Sequence, residues 1–212
     1  MKLYSYFRSS SSYRLRIALN LKGLAYETVP VNLVAGEQRG AAYRAVNPQG
    51  LVPALDTGDA RLVQSTAILE WLEEQYPAPP LYPADALARA RVRGLCQHIA
   101  CEIQPLNNLG VLHYLRDTLD QDEAAVTRWY AHWVTQGFEG LEAAAPAAGF
   151  FGGEAPGMAE VFLVPQLFNA RRFAVDLAPF PRLAAIDERC AVLDAFARAH
   201  PDRQPDAPSA GG

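Results

Sequence analysis

The chain is organised around the stretch Ser9-Ser10-Ser11-Ser12-Tyr13-Arg14-Leu15-Arg16-Ile17-Ala18-Leu19. A strand-like run precedes this stretch and an apolar-periodic segment continues it, so the sequence predicts a strand-to-helix junction. One serine hydroxyl can cap the helix, and the others stand at the positive end of the helix dipole, where an anion or a thiolate is favoured. A plain serine-rich turn with a single N-cap is the alternative, and the choice between the two depends on the rest of the chain.

The composition is ordinary for a globular protein. The chain has 212 residues, of which 50% are apolar and 20% are charged, which allows one large domain or two small ones. A core of that size can be built without disulfides. The formal net charge is −4 and there is no long basic run, which argues against nucleic acid and against an anionic membrane surface as partners.

The three cysteines, Cys96, Cys101 and Cys190, are an odd number without metal-ligand spacing. We therefore expect no disulfide framework, no metal site and a reducing compartment. The first residues enter a strand directly and do not have the pattern of a signal peptide. No apolar run approaches the ~20 residues that span a bilayer. These features predict a cytoplasmic protein.

Residues 1–80 alternate strands and helices. The predicted strands cover residues 3–7, 26–31, 51–55 and 61–63, and the predicted helices cover residues 13–21 and 66–76. Ser65 is a suitable N-cap for the second helix. The first two strands should be parallel across the first helix, so the order βαβ followed by ββα predicts a small α/β layer with mixed parallel and antiparallel strands.

A proline-rich linker, residues 78–85, separates this layer from an almost entirely helical region, residues 86–212. The predicted helices there cover residues 86–117, with a bend near Pro105, and then residues 122–145 and 159–172, and one or two last helices cover residues 182–200. The last residues, 201–212, are rich in Pro, Gly and Asp and are predicted to be frayed. The fold class is therefore α/β plus all-α.

The serine stretch resembles the Ser-Ser-Cys-x-aromatic-Arg-Val-Arg-Ile-Ala-Leu signature of the zeta class of cytosolic glutathione transferases. Further matches in the family's order and spacing are Asn47-Pro48 with Val52-Pro53, Gln64-Ser65, Glu70-Trp71-Leu72-Glu73-Glu74, Gln104-Pro105-Leu106-Asn107-Asn108, Leu163-Val164-Pro165-Gln166, Asn169-Ala170-Arg171-Arg172-Phe173 and Arg203-Gln204-Pro205-Asp206. The resemblance implies a thioredoxin-like glutathione-binding domain over residues 1–80, an all-helical substrate domain over residues 86–212, and a homodimer.

The same resemblance implies a glutathione site in which Ser9 stabilises the thiolate, with Ser10 and Ser11 as nearby alternatives. The other glutathione-binding positions that it implies are Gln38, Val52, Pro53, Gln64, Ser65, Gln104 and Asn108. Val52-Pro53 resembles the family's cis-proline turn, and an ordinary trans proline is the alternative. Gln64-Ser65 offers a hydroxyl and backbone N–H groups that suit the γ-glutamyl carboxylate, unless Ser65 is only a cap. Gln104 and Asn108 are four residues apart and should share a helix face.

The zeta class contains maleylacetoacetate isomerase and the bacterial maleylpyruvate isomerases. The implied activity is therefore cis–trans isomerisation of a small dicarboxylate with glutathione as coenzyme. Arg8 and Arg172 resemble the family's substrate-binding arginines, whereas Arg171 is the stronger candidate for a surface residue. Gln104 and Gly110 stand where some maleylpyruvate isomerases carry His and Arg. That difference favours maleylacetoacetate, which is converted to fumarylacetoacetate in phenylalanine and tyrosine catabolism.

The sequence departs from the family's pattern at two further positions. Ser11 stands where the class often has cysteine, so substrate handling is expected to differ while activity is retained. Gly157 stands where the family has a helix-opening Ser or Thr, and although Glu160 can still reach back to the helix start, we predict a weakened capping box.

Three alternatives stay open. Tyr4 and Tyr6 are rival partners for the thiolate, because other transferase classes use a tyrosine at the end of the first strand. A general glutathione transferase or dehalogenase would use the same activated thiolate on a small electrophile. A non-catalytic module with the transferase fold would bind a protein partner instead.

Overall fold

The computed structural model describes residues 1–208 and divides the chain into two units. The first unit comprises Met1–Leu81 together with the segment that begins at Ala191, and the second comprises Tyr82–Cys190. The strands of the first unit are Lys2–Ser5 (β1), Glu27–Pro30 (β2), Ala54–Asp56 (β3) and Arg61–Val63 (β4). They form one sheet in the order β2-β1-β3-β4.

The pairing of this sheet follows the predicted βαβ and ββα order. β1 and β2 are parallel with Leu3 opposite Thr28, whereas β1 and β3 are antiparallel with Leu3 opposite Leu55. β3 and β4 form an antiparallel hairpin across the turn in which Thr57 N donates to Ala60 O. Leu3 and Leu55 are fully buried, so the sheet presents an apolar row at its centre.

Three helices in the first unit cover Ser10–Leu21 (α1), Ala41–Arg44 (α2) and Ser65–Gln75 (α3). α1 begins three residues earlier than the apolar periodicity predicts, because the capping hydroxyl of Ser9 lies upstream of the periodic residues. The prediction that Ser65 caps α3 is wrong: the N-cap is Gln64, and Ser65 is the first helical residue. α1 and α3 pack against each other.

The helical unit is built from Ala86–Gln97 (α4), Leu109–His113 (α5), Glu123–Ala144 (α6), Met158–Arg172 (α7) and Pro181–Ala191 (α8). α7 is buried over most of its length and packs against α4, so it forms the centre of this unit. Gly137 in α6 permits a close approach, because a Cβ at this position would overlap the side chain of Ile103.

The long helix predicted over residues 86–117 is interrupted rather than bent. α4 passes into a wider π-helical turn at His98–Ile103 and then a 3₁₀ turn at Pro105–Asn107, and α5 starts afresh after Asn108 and continues into a second π-helical turn at Tyr114–Thr118. Asn108 has an extended backbone, with φ −68° and ψ 149°. The prediction that Gln104 and Asn108 share a face of one helix is therefore wrong, because the 3.6-residue spacing does not continue across the break.

The start of α7 retains half of a capping box. The Glu160 carboxylate accepts hydrogen bonds from Gly157 N and from Phe151 N, both at 2.8 Å. The reciprocal bond, in which a capping side chain accepts from the backbone N–H of Glu160, is missing because Gly157 has no side chain. Glu160 is fully buried, and its burial raises the pKa of its carboxyl group. Glu160 thus fixes both the helix start and the loop before it.

The C-terminal segment belongs to the first unit and not to the helical one. It contains the helix Asp194–Ala199 (α9) and a 3₁₀ turn at Pro201–Arg203, and α9 packs against α1. The helical domain was expected to cover residues 86–212, whereas the segment that begins at Ala191 groups with the first unit. The predicted fraying is wrong for residues 201–207, where Pro201 and Gln204 are buried. Residues 209–212 of that predicted tail lie outside the described residues.

No helix in residues 1–208 is long and apolar enough to cross a membrane. Within the same residues there is no cluster of three or more His, Cys, Asp or Glu side chains that could hold a metal ion.

Candidate active site

The turn between β1 and α1 carries the serine hydroxyls. Ser9 N donates to Tyr6 O at 3.0 Å, which closes the turn, and Ser9 Oγ accepts a hydrogen bond from Ser12 N at 3.2 Å. A hydroxyl has one donor and two lone pairs, so Ser9 can cap the helix and still donate its proton to another group. Ser9 and Ser11 are half-buried, while Ser10 is buried.

Ser12 differs from its three neighbours. It is fully buried, and its Oγ has no hydrogen-bond partner among residues 1–208. A buried hydroxyl without a hydrogen-bond partner lowers the stability of the fold. Because it is buried, this hydroxyl is also not accessible to a ligand at the surface of the unit. The structure thus separates Ser12 from the candidates Ser9, Ser10 and Ser11.

Arg8 brings a positive charge to the same turn. Its Nη2 donates to the Tyr6 hydroxyl at 3.0 Å, and its guanidinium carbon lies 5.0 Å from the centroid of the Phe7 ring. These contacts hold the side chain in one orientation, and its Nε has no hydrogen-bond partner among residues 1–208. Tyr6 is buried and its hydroxyl is engaged with Arg8. Tyr4 is half-buried and makes an edge contact with Tyr43.

Val52 and Pro53 lie at the entry to β3. The Val52–Pro53 peptide bond is cis, Pro53 is buried and Val52 is half-buried. The carbonyl of the preceding residue, Leu51, accepts two hydrogen bonds at 2.7 Å, one from the Tyr43 hydroxyl and one from Asn47 Nδ2. Two side chains from the preceding segment thus fix the backbone that leads into Val52-Pro53.

The Asn47–Gly50 turn is also tied to Gln38. Gly50 has φ +64°, and a Cβ there would lie 3.0 Å from the carbonyl oxygen of Gln38, so the close approach requires glycine. Gln38 lies in the 3₁₀ turn Glu37–Arg39 and is half-buried. Its Oε1 is buried without a partner among the described residues, so its side chain retains an acceptor.

Gln64 and Ser65 open α3 with an unusual backbone. Gln64 has φ +69° and ψ 112°, a conformation that costs on the order of 1–3 kcal/mol for a residue with a side chain and that is frequent at ligand sites. Its Nε2 donates to Gln49 Oε1 at 2.6 Å. Ser65 is buried, and its Oγ accepts from Arg14 Nη1 at 3.4 Å. A helix N-terminus with a guanidinium beside it favours a carboxylate.

The remaining predicted positions lie in the helical unit. Gln104 is half-buried at the end of the π-helical turn, and Asn108 caps α5 by accepting from Gly110 N at 3.4 Å. Arg172 is exposed at the end of α7, where its Nη1 donates to Asn169 Oδ1 at 3.2 Å and its guanidinium carbon lies 4.7 Å from the Phe173 ring centroid. The adjacent Arg171 forms an ion pair with Asp187.

Three residues around the serine turn and the Val52-Pro53 entry were missed as site residues. Tyr43 and Asn47 hold Leu51 O, and Asp206 accepts a hydrogen bond from Phe7 N through Oδ2 at 2.9 Å. Asn47 and Asp206 do stand in the Asn47-Pro48 and Arg203-Gln204-Pro205-Asp206 matches. Those two matches pointed to these residues in the sequence. A matching motif alone, however, does not show which backbone group each of its side chains binds.

The first unit matches a known family. Residues 3–80 match the model of the glutathione S-transferase N-terminal domain. Two curated relatives cover nearly the whole chain. The maleylpyruvate isomerase of Ralstonia sp. is 52% identical over 97% of this chain and 99% of its own length. The maleylacetoacetate isomerase of Pseudomonas aeruginosa is 50% identical over 99% of this chain and 100% of its own length.

Two solved structures are similar to this chain over nearly its whole length. The holo structure of a maleylpyruvate isomerase, described as a bacterial glutathione S-transferase of the zeta class, has a TM-score of 0.96 and 52% identity, and covers 98% of this chain and 100% of that chain. The maleylacetoacetate isomerase of Methylobacterium extorquens AM1, solved with malonate and glutathione, has a TM-score of 0.94 and 39% identity, and covers 99% of this chain and 100% of that chain. The chain therefore belongs to the zeta class of the glutathione transferase family of enzymes.

Proposed function

We propose that this zeta-class enzyme is a glutathione-dependent cis–trans isomerase that converts maleylacetoacetate to fumarylacetoacetate. The observation that carries the proposal is the Ser9 hydroxyl, which keeps a free donor at the start of α1 with Arg8 beside it in the same turn. Isomerase names among the relatives and the malonate and glutathione in a solved structure support it. Glutathione is the coenzyme in this proposal, and the process is the breakdown of aromatic amino acids in the cytoplasm.

The residues of the first unit fit glutathione. The ligand carries a thiol, a γ-glutamyl carboxylate and a peptide, and each needs a different kind of group. Ser9, with Ser10 and Ser11 near it, supplies hydroxyl donors for the thiolate. Ser65 and the first N–H groups of α3 suit the carboxylate, and the strained backbone at Gln64 supports a ligand site at this position. The backbone at Val52 is available to pair with the peptide.

A free thiol has a pKa near 8.5, and its reactive form is the thiolate. When bound, glutathione supplies a thiolate that adds to the double-bond carbon of the substrate, lets the resulting single bond rotate, and is then expelled. Ser9 holds the thiolate form by donating its hydroxyl proton, and the dipole of α1 adds to that stabilisation. We assign Arg8 to a substrate carboxylate, because its charge is already oriented by Tyr6 and Phe7. Arg172, Gln104, Asn108 and Gln38 are proposed as further binding residues on the strength of the resemblance.

The choice of maleylacetoacetate over maleylpyruvate rests on two residues. Gln104 and Gly110 leave this part of the helical unit without the His and Arg that some maleylpyruvate isomerases carry. The larger substrate should therefore give the higher kcat/KM. The relatives with the two names are 50% and 52% identical, so overall similarity does not separate these substrates.

The test is an ultraviolet assay of maleylacetoacetate, and in parallel of maleylpyruvate, with and without glutathione. Isomerisation that requires glutathione but does not consume free thiol is the expected result. A loss of free thiol would indicate a transferase or dehalogenase instead. If the protein neither isomerises the substrate nor is retained on immobilised glutathione, the result would favour the non-catalytic module with the transferase fold.

The serine assignment has its own test. Replacing Ser9 with Ala removes one charge-assisted hydrogen bond, worth about 1.5–3 kcal/mol, so kcat/KM should fall about 10- to 100-fold and the pKa of the bound thiol should rise. Ser12→Ala is the matched control, because it removes a hydroxyl from the same turn without removing a hydrogen bond. Isomerisation at the wild-type rate in Ser9→Ala would shift the assignment to Ser10 or Ser11.

The proposed homodimer is tested separately by sedimentation equilibrium. We expect twice the 23.2 kDa mass of one chain. A single-chain mass across the concentration range used in the assay would contradict the dimer without affecting the isomerase proposal.

A further inference from the structure

The peptide groups of Phe7 are held from two sides. Phe7 N donates to Asp206 Oδ2 at 2.9 Å, and Phe7 O accepts from Arg16 Nη2 at 2.9 Å. Phe7 is 7% exposed, so water is a poor substitute for either partner. Arg8 and Ser9 follow directly in the chain. The orientation of the turn that carries them therefore depends on a carboxylate 199 positions further along the chain.

Asp206 is carried by an ordered segment. Asn20 Nδ2 donates to Ala195 O at 2.9 Å, and Arg16 Nε donates to Ala199 O at 3.0 Å, which fastens α9 to α1. Beyond α9, Gln204 Nε2 donates to two backbone carbonyls, those of Arg198 and His200, at 2.9 Å each. These bonds fold the chain back on itself and deliver Asp206 to the serine turn in a defined position.

Asp206 also acts on the charge of Arg16. Arg16 is fully buried, and this desolvation lowers the pKa of its guanidinium group to about 10. Tyr26, Tyr13 and, to a smaller extent, Asp206 oppose that shift of the pKa. The Asp206 carboxylate and the Arg16 guanidinium thus hold opposite ends of the Phe7 residue.

We propose that Asp206 is a positioning residue for the reaction, which acts by fixing the Phe7–Ser9 turn so that Arg8 and Ser9 face their ligands. This inference rests on the proposed isomerase function. Loss of the Phe7 N–H bond lets the turn adopt other orientations, and the hydroxyl and guanidinium then meet the thiolate and the carboxylate in only a fraction of molecules. The cost should appear in catalysis as well as in stability.

The experiment compares Asp206→Ala with Asp206→Asn. Asparagine keeps a carbonyl oxygen for Phe7 N but removes the charge, whereas alanine removes both. We expect kcat/KM to fall about tenfold in Asp206→Ala, the factor that corresponds to ~1.4 kcal/mol, and to recover to within about threefold in Asp206→Asn. Asp202→Ala is the matched control, since it removes an exposed carboxylate from the same segment.

The decisive readout is the pKa of glutathione bound to each variant, followed through the ultraviolet absorbance of the thiolate. Displacement of Ser9 predicts a higher thiol pKa in Asp206→Ala than in the wild type and Asp202→Ala. A merely structural role would lower the melting temperature but leave this pKa unchanged. If Asp206→Ala does not fold, Asp206→Glu serves instead, because it keeps the charge and moves the carboxylate by one methylene, and we expect the same two changes.

The outcomes separate the two proposals. An active wild type whose kcat/KM and thiol pKa are matched by the folded Asp206→Ala variant, or by Asp206→Glu where alanine does not fold, overturns the positioning role alone. A wild type that neither isomerises the substrate nor lowers the thiol pKa overturns the proposed function and the positioning role together.

Discussion

The carbonyl of Leu51 accepts hydrogen bonds from two side chains, and removing both should cost more than the sum of removing each. Tyr43 Oη and Asn47 Nδ2 both lie 2.7 Å from Leu51 O. In either single variant the other donor remains, so the carbonyl stays satisfied. In the double variant it loses both donors, directly before Val52-Pro53.

The expected magnitudes follow from the bonds that each change removes. Tyr43→Phe removes one hydrogen bond and should lower the free energy of unfolding by about 1 kcal/mol. Asn47→Ala also removes the acceptor of Gln49 N, bonded at 3.0 Å, and should cost about 2 kcal/mol. The double variant should cost about 1 kcal/mol beyond the sum, because the remaining acceptor is then unpaired.

The assay is urea unfolding of the four proteins, combined with the KM for glutathione. We expect KM to rise modestly in the single variants and most in the double variant, since the peptide of glutathione is proposed to pair beside Leu51. Tyr114→Phe is the matched control because Tyr114 is exposed. Costs that add to within about 0.5 kcal/mol, together with an unchanged KM, would refute the shared-acceptor argument.

The stability of wild type and Tyr43→Phe can also be compared at alkaline pH. Burial raises the pKa of Tyr43 from its ordinary value near 10 to about 12. Above pH 10 the unfolded chain loses this proton first, so the stability contributed by the protonated phenol is lost as the pH rises through about 12. Wild type should therefore lose more stability than Tyr43→Phe between pH 10 and 12, by no more than about 3 kcal/mol. Parallel stability curves for the two proteins over this range would contradict the assigned cause.

Three further predictions concern stability, each measured by thermal or urea unfolding. Ser12→Ala should be neutral or stabilising by up to about 1 kcal/mol, because it removes a buried hydroxyl without a partner among residues 1–208, and a clear loss would reveal a bond that the structure does not show. Gly137→Ala should lower the free energy of unfolding by about 1–3 kcal/mol, because the added Cβ overlaps the side chain of Ile103. Gly140→Ala in the same helix should raise it by up to about 1 kcal/mol, because a Cβ there meets no close contact. Changes of the same sign in the two variants would refute the packing argument. Gly157→Ser should raise the free energy of unfolding by a few tenths of a kcal/mol, and with it the melting temperature, because it completes the capping box. An unchanged or lower melting temperature would contradict this.

The order of strands and helices in the first unit was predictable because its signals are local. β1 and β2 overlap the predicted strand-like runs at residues 3–7 and 26–31, and the Thr57-Gly58-Asp59 turn places β3 and β4 antiparallel. The boundaries were less predictable. α1 begins after the capping side chain of Ser9, whereas α3 begins after Gln64, whose side chain makes no capping bond. The positive φ of Gln64 does not follow from any backbone preference of glutamine.

The helical unit was predicted less well because side-chain periodicity survives small changes in backbone winding. The pattern over residues 86–117 is apolar at helical spacing, yet the backbone widens into π-helical turns and breaks between Pro105 and Asn108. The family matches near Gln104 were in the sequence, but their placement on one helix face assumed a continuous helix. The tail shows the opposite error. Its polar composition predicted fraying, whereas Gln204 bonds to two carbonyls within the same segment and Asp206 accepts from Phe7 N, 199 positions away, and composition does not reveal either contact.

In the serine turn, capping and the proposed contact with the thiolate are compatible in a single residue. From the sequence, one serine was expected to cap the helix and the others to face an anion or thiolate, with a plain capped turn as the alternative. In the structure Ser9 Oγ uses a lone pair to accept from Ser12 N, which leaves its proton for a ligand. The cap therefore also orients the donor, because the accepted bond restricts the directions in which the hydroxyl can point. The two tasks support each other, and a substitution at Ser9 should weaken stability and catalysis together, whereas one at Ser12 should weaken neither.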